Sequence, residues 1–161
     1  MMLDSLANYH RWGYQVLYQT IDQLLDESYR KDMGLFFKSI HGTLNHLLLV
    51  DKLWLSRFVG NIIKVDRLDQ ELISDRRQLK AEIDNQAIQW IDFIKILDLT
   101  ALPEKLDYMN TKDIQSTVSY AKALYHVFNH GTHHRGQISA ALTQLGYEAP
   151  VMDLIYFKDE A

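Results

Sequence analysis

Apolar residues recur every three or four positions over four long stretches of this chain, the spacing that places them on one face of an α-helix. The stretches cover residues 3–25, 36–58, 74–97 and 119–145. The second helix is expected to begin near Phe36 or Ser39, and Ser74 is the candidate N-cap of the third. Gly60 and Gly146 follow the second and fourth stretches, as glycines do just beyond a helix C-terminus. The pattern predicts four long helices.

Before the last long helix, apolar residues recur at every second position instead of every third or fourth. Residues 105–109 and 114–118 alternate in polarity on either side of a turn at 110–113. We expect a short β-hairpin here, or a pair of extended segments. Residues 26–34 are polar and predict a connection, and residues 153–157 could form one more short turn or helix.

Four helices of this length favour an all-α fold, an antiparallel four-helix bundle with the short hairpin added. The chain contains two prolines and seven glycines, so few residues interrupt the helices. Its 161 residues suit a single domain over 1–161 that buries a core without disulfides.

Charge and cysteine content narrow the possible partners. The formal net charge is −4 and there is no run of lysine or arginine, which argues against nucleic acid. No segment reaches the roughly 20 apolar residues of a membrane span, and no signal peptide is recognisable. The chain has no cysteine, so a metal would bind histidine and oxygen donors. We expect a soluble cytoplasmic protein without membrane contact.

The candidate chemistry is concentrated in residues 126–134, which hold four of the seven histidines. His130 and His134 are four residues apart and share the inward, apolar face of the last helix. Two histidines at this spacing can bind one metal ion. His46 lies on the apolar stripe of the second helix and is the candidate third ligand. A single inward histidine is more often a hydrogen-bonded core residue, but three that converge favour a metal site.

Neighbouring polar residues are candidates for supporting roles. His126 could donate to a ligand or be a fourth ligand. Asp51 and Asn45 flank His46 and could orient ligands, although Asp51 could equally be a solvated helix charge. Arg135 could bind an anionic substrate group or a helix carbonyl. Three histidines are interpreted as packing or surface residues without a ligand role: His10, His41 and His133.

Three motifs give the chain a resemblance to the DinB family of damage-inducible proteins. The first is residues 8–12 (NYHRW). The second is residues 34–37 (GLFF) followed by residues 39–48 (SIHGTLNHLL), with Asp51, Trp54, Leu55 and Arg57. The third is residues 129–137 (NHGTHHRGQ). The family's histidine triad corresponds to His46, His130 and His134. The resemblance implies a bundle of the up-down-down-up type, a homodimer, and a divalent metal, zinc or nickel.

Three imidazoles leave a metal with open positions, which is typical of catalytic sites. The leading hypothesis is a metal-dependent transferase or hydrolase that activates water or a low-molecular-weight thiol for attack on a small-molecule substrate. No glutamate is spaced to serve as general base, which favours thiol transfer. Relatives implied by the resemblance include S-transferases that use bacillithiol or mycothiol. The alternative is a non-catalytic, stress-inducible protein that binds a metal or a small ligand.

Overall fold

The computed structural model describes residues 2–158 and confirms the helical bundle with a short hairpin. Its four long helices are α1 (Met2–Ile21), α3 (Ile40–Phe58), α4 (Arg76–Ile96) and α5 (Tyr120–Gln144). The shorter elements are the single-turn helix α2 (Asp26–Arg30), the strands β1 (Lys105–Met109) and β2 (Gln115–Ser119), and a 3-10 turn (Leu154–Tyr156). None of the helices in this part of the chain is long and apolar enough to cross a membrane.

The long helices pack so that α1 and α3 each contact both α4 and α5. Helices α1 and α3 are therefore diagonal to each other across the bundle. Buried apolar residues form two clusters, one around Leu17, Leu44 and Ile138 and the other around Trp90 and Phe128. On each of α1, α3 and α5, polar residues lie between the positions that enter the first cluster and those that enter the second. The bundle thus carries a buried polar layer between two apolar ones.

Local chemistry sets the ends of the helices, and two of these ends differ from the prediction. The N-cap of α4 is Asp75, whose carboxylate accepts from the backbone N–H of Gln78 at 2.7 Å, so the prediction of Ser74 is wrong. Helix α1 ends at Ile21 rather than near residue 25, because the N–H groups of Gln23 and Leu24 bond to carbonyls three residues back and tighten the turn. Gly146, with φ of +85°, follows α5 as predicted.

The hairpin leads directly into α5. Strands β1 and β2 pair antiparallel with Lys105 opposite Ser119, and the Ser119 side chain caps α5 by accepting from Lys122 N–H. Arg57 of α3 holds the hairpin against the bundle. Its guanidinium lies 4.5 Å from the Trp54 ring centre and 4.4 Å from that of Tyr108.

Candidate metal centre

Three histidines from two helices meet inside the bundle. His130 and His134 occupy successive turns of α5, and His46 reaches them from α3, so that one ring nitrogen of each lies within 4.8 Å of the others. The Nε2 atoms of His46 and His130 are 3.2 Å apart. His46 and His134 are buried, whereas His130 is half-buried. We call these residues the histidine triad; the structure brings together the three histidines that the sequence nominated.

Hydrogen bonds orient two of the three rings. His46 Nδ1 lies 2.9 Å from the carbonyl oxygen of Leu68, which can only accept, so Nδ1 carries the proton. His134 Nδ1 donates to Oε1 of Gln137 at 2.7 Å. Each bond leaves Nε2 unprotonated with its lone pair available. Metal-binding histidines characteristically donate their other N–H to such an acceptor.

The third ring, His130, directs its Nε2 at the Nε2 of His46, as two ligands of one cation would be placed. Its Nδ1 is buried without a hydrogen-bond partner among the described residues. The 3.2 Å separation of the two Nε2 atoms is close to the roughly 3.3 Å expected between two nitrogens bound tetrahedrally to zinc at about 2.0–2.1 Å. Imidazole nitrogens suit zinc, copper, iron and nickel. The residues present therefore fit a divalent transition metal.

Burial keeps the triad in the neutral form that ligation requires. It lowers the pKa of His46 to about 4, although the bond to Leu68 opposes the shift. Burial, with the nearby His134 and His46, lowers the pKa of His130 to about 3. The pKa of His134 is also lowered, mainly by burial. All three imidazoles are consequently uncharged at neutral pH, so a metal ion does not have to compete with an imidazolium proton.

An aromatic ring covers one side of the triad. Phe37 stacks on His46 with 3.7 Å between ring centroids and an interplanar angle of 16°. A tight turn presents this ring, with Lys38 at a φ of +67°. The turn also requires Gly42, because a Cβ there would lie 2.2 Å from the Phe37 carbonyl oxygen. The sequence did not predict a role for Phe37 at the site, and the available signal was the glycine in the first turn of α3.

The loop between α3 and α4 supplies the Leu68 carbonyl. Asn45 holds this loop, since its Oδ1 accepts from the backbone N–H groups of Leu72 and Ile73 at 2.8 and 2.9 Å. Asn45 therefore acts on the triad indirectly, through the loop. His41 is buried beside it, with its Nε2 3.2 Å from the Asn45 amide nitrogen.

His126 and His133 lie outside the triad. His126 is exposed and contacts His130 ring to ring, with 5.7 Å between centroids. His133 is exposed, and its Nε2 lies 3.3 Å from the Gln137 amide nitrogen. Gln137 thus accepts a hydrogen bond from His134 and donates one to His133. This residue was also missed, although its spacing of three from His134 predicts contact on a helix.

Asp51 and Arg135 are buried but are directed away from the triad. Asp51 is 2% exposed, so it is not a solvated charge, and its Oδ2 lies 2.8 Å from Nε2 of His10. Arg135 is 1% exposed and donates to His10 Nδ1 at 3.1 Å and to Thr132 Oγ1 at 3.2 Å. The substrate-anion and helix-carbonyl roles considered for Arg135 do not match these contacts. His10, which showed no spacing pattern, is the residue that joins the two.

The chain is similar to known proteins over most of its length. The family model described as the DinB family matches residues 1–161. A curated relative, Protein DinB of Bacillus subtilis (strain 168), is 28% identical over 156 residues, covering 92% of this chain and 89% of its own.

Proposed function

The chain belongs to the DinB family, and we propose that His46, His130 and His134 hold a divalent metal, zinc or nickel. The observation that carries the proposal is the convergence of three imidazole nitrogens within 4.8 Å in a buried layer. Neutral imidazoles are costly to bury without partners. A cation shared by the three satisfies them together.

We further propose that the site is catalytic and that its reaction is the transfer of a low-molecular-weight thiol to an electrophile. A divalent metal bound there supplies a Lewis acid that lowers the pKa of a thiol or a water molecule. Among the described residues, the group of candidate ligands contains no carboxylate. A thiol whose pKa is lowered by a bound metal could release its proton to solvent, whereas hydrolysis usually uses a general base, so this donor set favours the thiol.

The chain's own residues would shape such a reaction. The acceptors on Leu68 and Gln137 keep two imidazoles in the required tautomer. Phe37 shields the His46 side from water. The half-buried His130 marks the more open side. A reactant approaching the site would therefore pass His130 and meet an apolar wall at Phe37.

A second candidate function is metal or small-ligand binding without turnover. Phe37 favours it, because a ring stacked at 3.7 Å on one ligand covers part of the site. Reactivity separates the two candidates.

The test is to load the protein with zinc or nickel and to follow thiol consumption with a panel of thiols and electrophiles. We expect metal-dependent turnover that His46→Ala abolishes. His133→Ala is the matched control, because this exposed histidine adjoins the triad without belonging to it. Metal binding without any turnover would favour the second candidate. Unchanged metal affinity in His46→Ala would refute the site.

A further inference from the structure

A second group of polar side chains crosses the bundle beside the triad. Asp51 of α3, His10 of α1 and Arg135 of α5 are 2%, 0% and 1% exposed. His10 lies between the other two, with Nε2 2.8 Å from Asp51 Oδ2 and Nδ1 3.1 Å from an Arg135 nitrogen. We call these three residues the Asp51–His10–Arg135 network. It joins three helices, two of which carry the triad.

The direction of each hydrogen bond in the network is determined by its ends. A guanidinium has only donors, so His10 Nδ1 accepts from Arg135 and its Nε2–H donates to Asp51. The anion and the cation are thus connected through a neutral imidazole. The rings of Tyr9 and Tyr14 flank the guanidinium, with their centroids 5.3 and 5.2 Å from its carbon. The negative charge of Asp51 and the positive charge of Arg135 therefore balance each other, although Asp51 Oδ1 and Arg135 Nε have no hydrogen-bond partner among the described residues.

Two helical glycines make room for these side chains. A Cβ at Gly131 would lie 2.4 Å from Cε1 of His10, and one at Gly13 would lie 2.7 Å from Nε of Arg135. Glycine inside a helix is less favourable than alanine by about 1 kcal/mol. The chain therefore has a residue of low helix propensity at two positions where the side chains of the network need space.

Stability alone does not explain such an arrangement. Buried ion pairs can often be replaced by apolar residues of similar volume with no loss of stability. Their best-attested use is to fix register, because a displaced partner leaves a charge buried and unpaired. Apolar clusters lie on both sides of the network, and apolar packing tolerates small shifts between helices better than paired charges do.

We propose that the Asp51–His10–Arg135 network positions the metal ligands by fixing the register of α3 and α5 against α1. Arg135 directly follows the ligand His134, and Gly131 directly follows His130. Asp51 lies five positions after His46 on α3. A shift that broke the network would displace ligands on both helices. The inference rests on the proposed metal site and adds the residues that hold its geometry.

The test replaces the network by apolar residues while keeping charge balance, in the triple variant Asp51→Leu, His10→Leu, Arg135→Met. We expect the metal-free variant to stay folded, since both charges leave together. Zinc affinity, measured by competition with a chromogenic chelator, should fall about 10- to 100-fold, as for loss of groups that orient ligands. The absorption bands of the cobalt-substituted protein should also change.

Two comparisons make the result specific. His10→Gln retains an acceptor for Arg135 and a donor for Asp51, so it should keep zinc affinity within about threefold, whereas His10→Leu should lose about tenfold or more. Arg76→Met is the matched arginine control. Arg76 donates to the carbonyls of Leu24 and Ile21, away from the metal-bearing helices, and its loss should lower stability without changing zinc affinity.

Wild-type affinity and an unchanged cobalt spectrum in the triple variant would overturn the positioning role. If the triple variant does not fold, the two single variants of His10 provide the test. Equal losses of zinc affinity in His10→Gln and His10→Leu would overturn the positioning role. Failure of the underlying metal site has a different signature, namely a His46→Ala variant that binds zinc as well as the wild type.

Discussion

The histidine triad and the Asp51–His10–Arg135 network share two helices, yet their electrostatics differ. In the network an anion and a cation are joined through His10, so the positive and negative charges balance, although Asp51 Oδ1 and Arg135 Nε have no hydrogen-bond partner among the described residues. In the triad three bases of the same kind face one another, and His130 Nδ1 has no partner among the described residues. The network thus carries its own counter-charge. The facing nitrogens of the triad have no charged partner, and a cation between them would supply one, which supports the proposed metal site.

The largest expected difference is in the stability of the metal-free protein. Asp51→Leu leaves the Arg135 cation buried without its counter-charge and should lower the free energy of unfolding by about 3–5 kcal/mol. His130→Leu removes an imidazole with an unpaired nitrogen and should be close to neutral or stabilising. Urea unfolding of both variants measures the difference. Equal losses would mean that the metal-free triad stabilises the fold as much as the network does.

Acid should weaken the metal-free protein through the triad. The pKa values of His46 and His130 are about 4 and 3 in the folded state, against an ordinary value of 6.5. At a pH between the folded-state value and 6.5, the unfolded chain binds more protons than the folded chain. The stability is therefore retained above about pH 6.5 and is lost as the pH falls towards 4. The loss should be on the order of 3 kcal/mol or less per histidine.

Urea unfolding at several pH values between 7 and 4 tests this dependence. The double variant His46→Gln, His130→Gln should show a much smaller slope than the wild type. Titration of other groups is common to both proteins and cancels in the difference. Parallel slopes would show that the triad is already accessible to solvent and protons in the folded state.

Two glycines of α5 have different surroundings: Gly131 lies against the side chains of the network, and Gly136 faces open space. Gly131→Ala forces a Cβ against His10 and should destabilise the protein by about 1–3 kcal/mol. Gly136→Ala meets nothing within 4 Å and should stabilise the same helix by up to about 1 kcal/mol. Thermal unfolding of both variants gives the sign of each effect. Stabilisation by Gly131→Ala would mean that His10 can move without cost.

The smallest effect should come from the hydrogen bond that orients His134. Gln137→Ala removes the acceptor of its Nδ1–H and should weaken zinc binding about tenfold while leaving the fold intact. Gln144→Ala, at an exposed position near the end of α5, serves as the control. Unchanged affinity in Gln137→Ala would show that packing alone orients the His134 ring.

Much of the triad was predictable because its signals are local. The spacing of His130 and His134 places them on one face of a helix, and the apolar stripe around His46 turns that residue inward. Gln137 carried a similar local signal. Phe37 and the Leu68 carbonyl did not, because a ring presented by a turn and a backbone oxygen in a loop have no side-chain periodicity.

The network shows the opposite case. His10 is one histidine on α1 with no partner at helical spacing, and its partners are 41 and 125 residues away in the chain. Asp51 and Arg135 each looked like a neighbour of a metal ligand. Only the packing of three helices directs both of them to His10 instead.

The sequence by itself determined the four long helices, the hairpin, the inward faces and the identity of the triad, since each depends on periodicity or on residues a few positions apart. The tertiary structure decided which helices meet, which ring nitrogens carry protons and which polar groups remain unpaired. Those properties depend on contacts between residues distant in sequence, where hydrogen-bond partners and burial are set by the packing of the whole bundle.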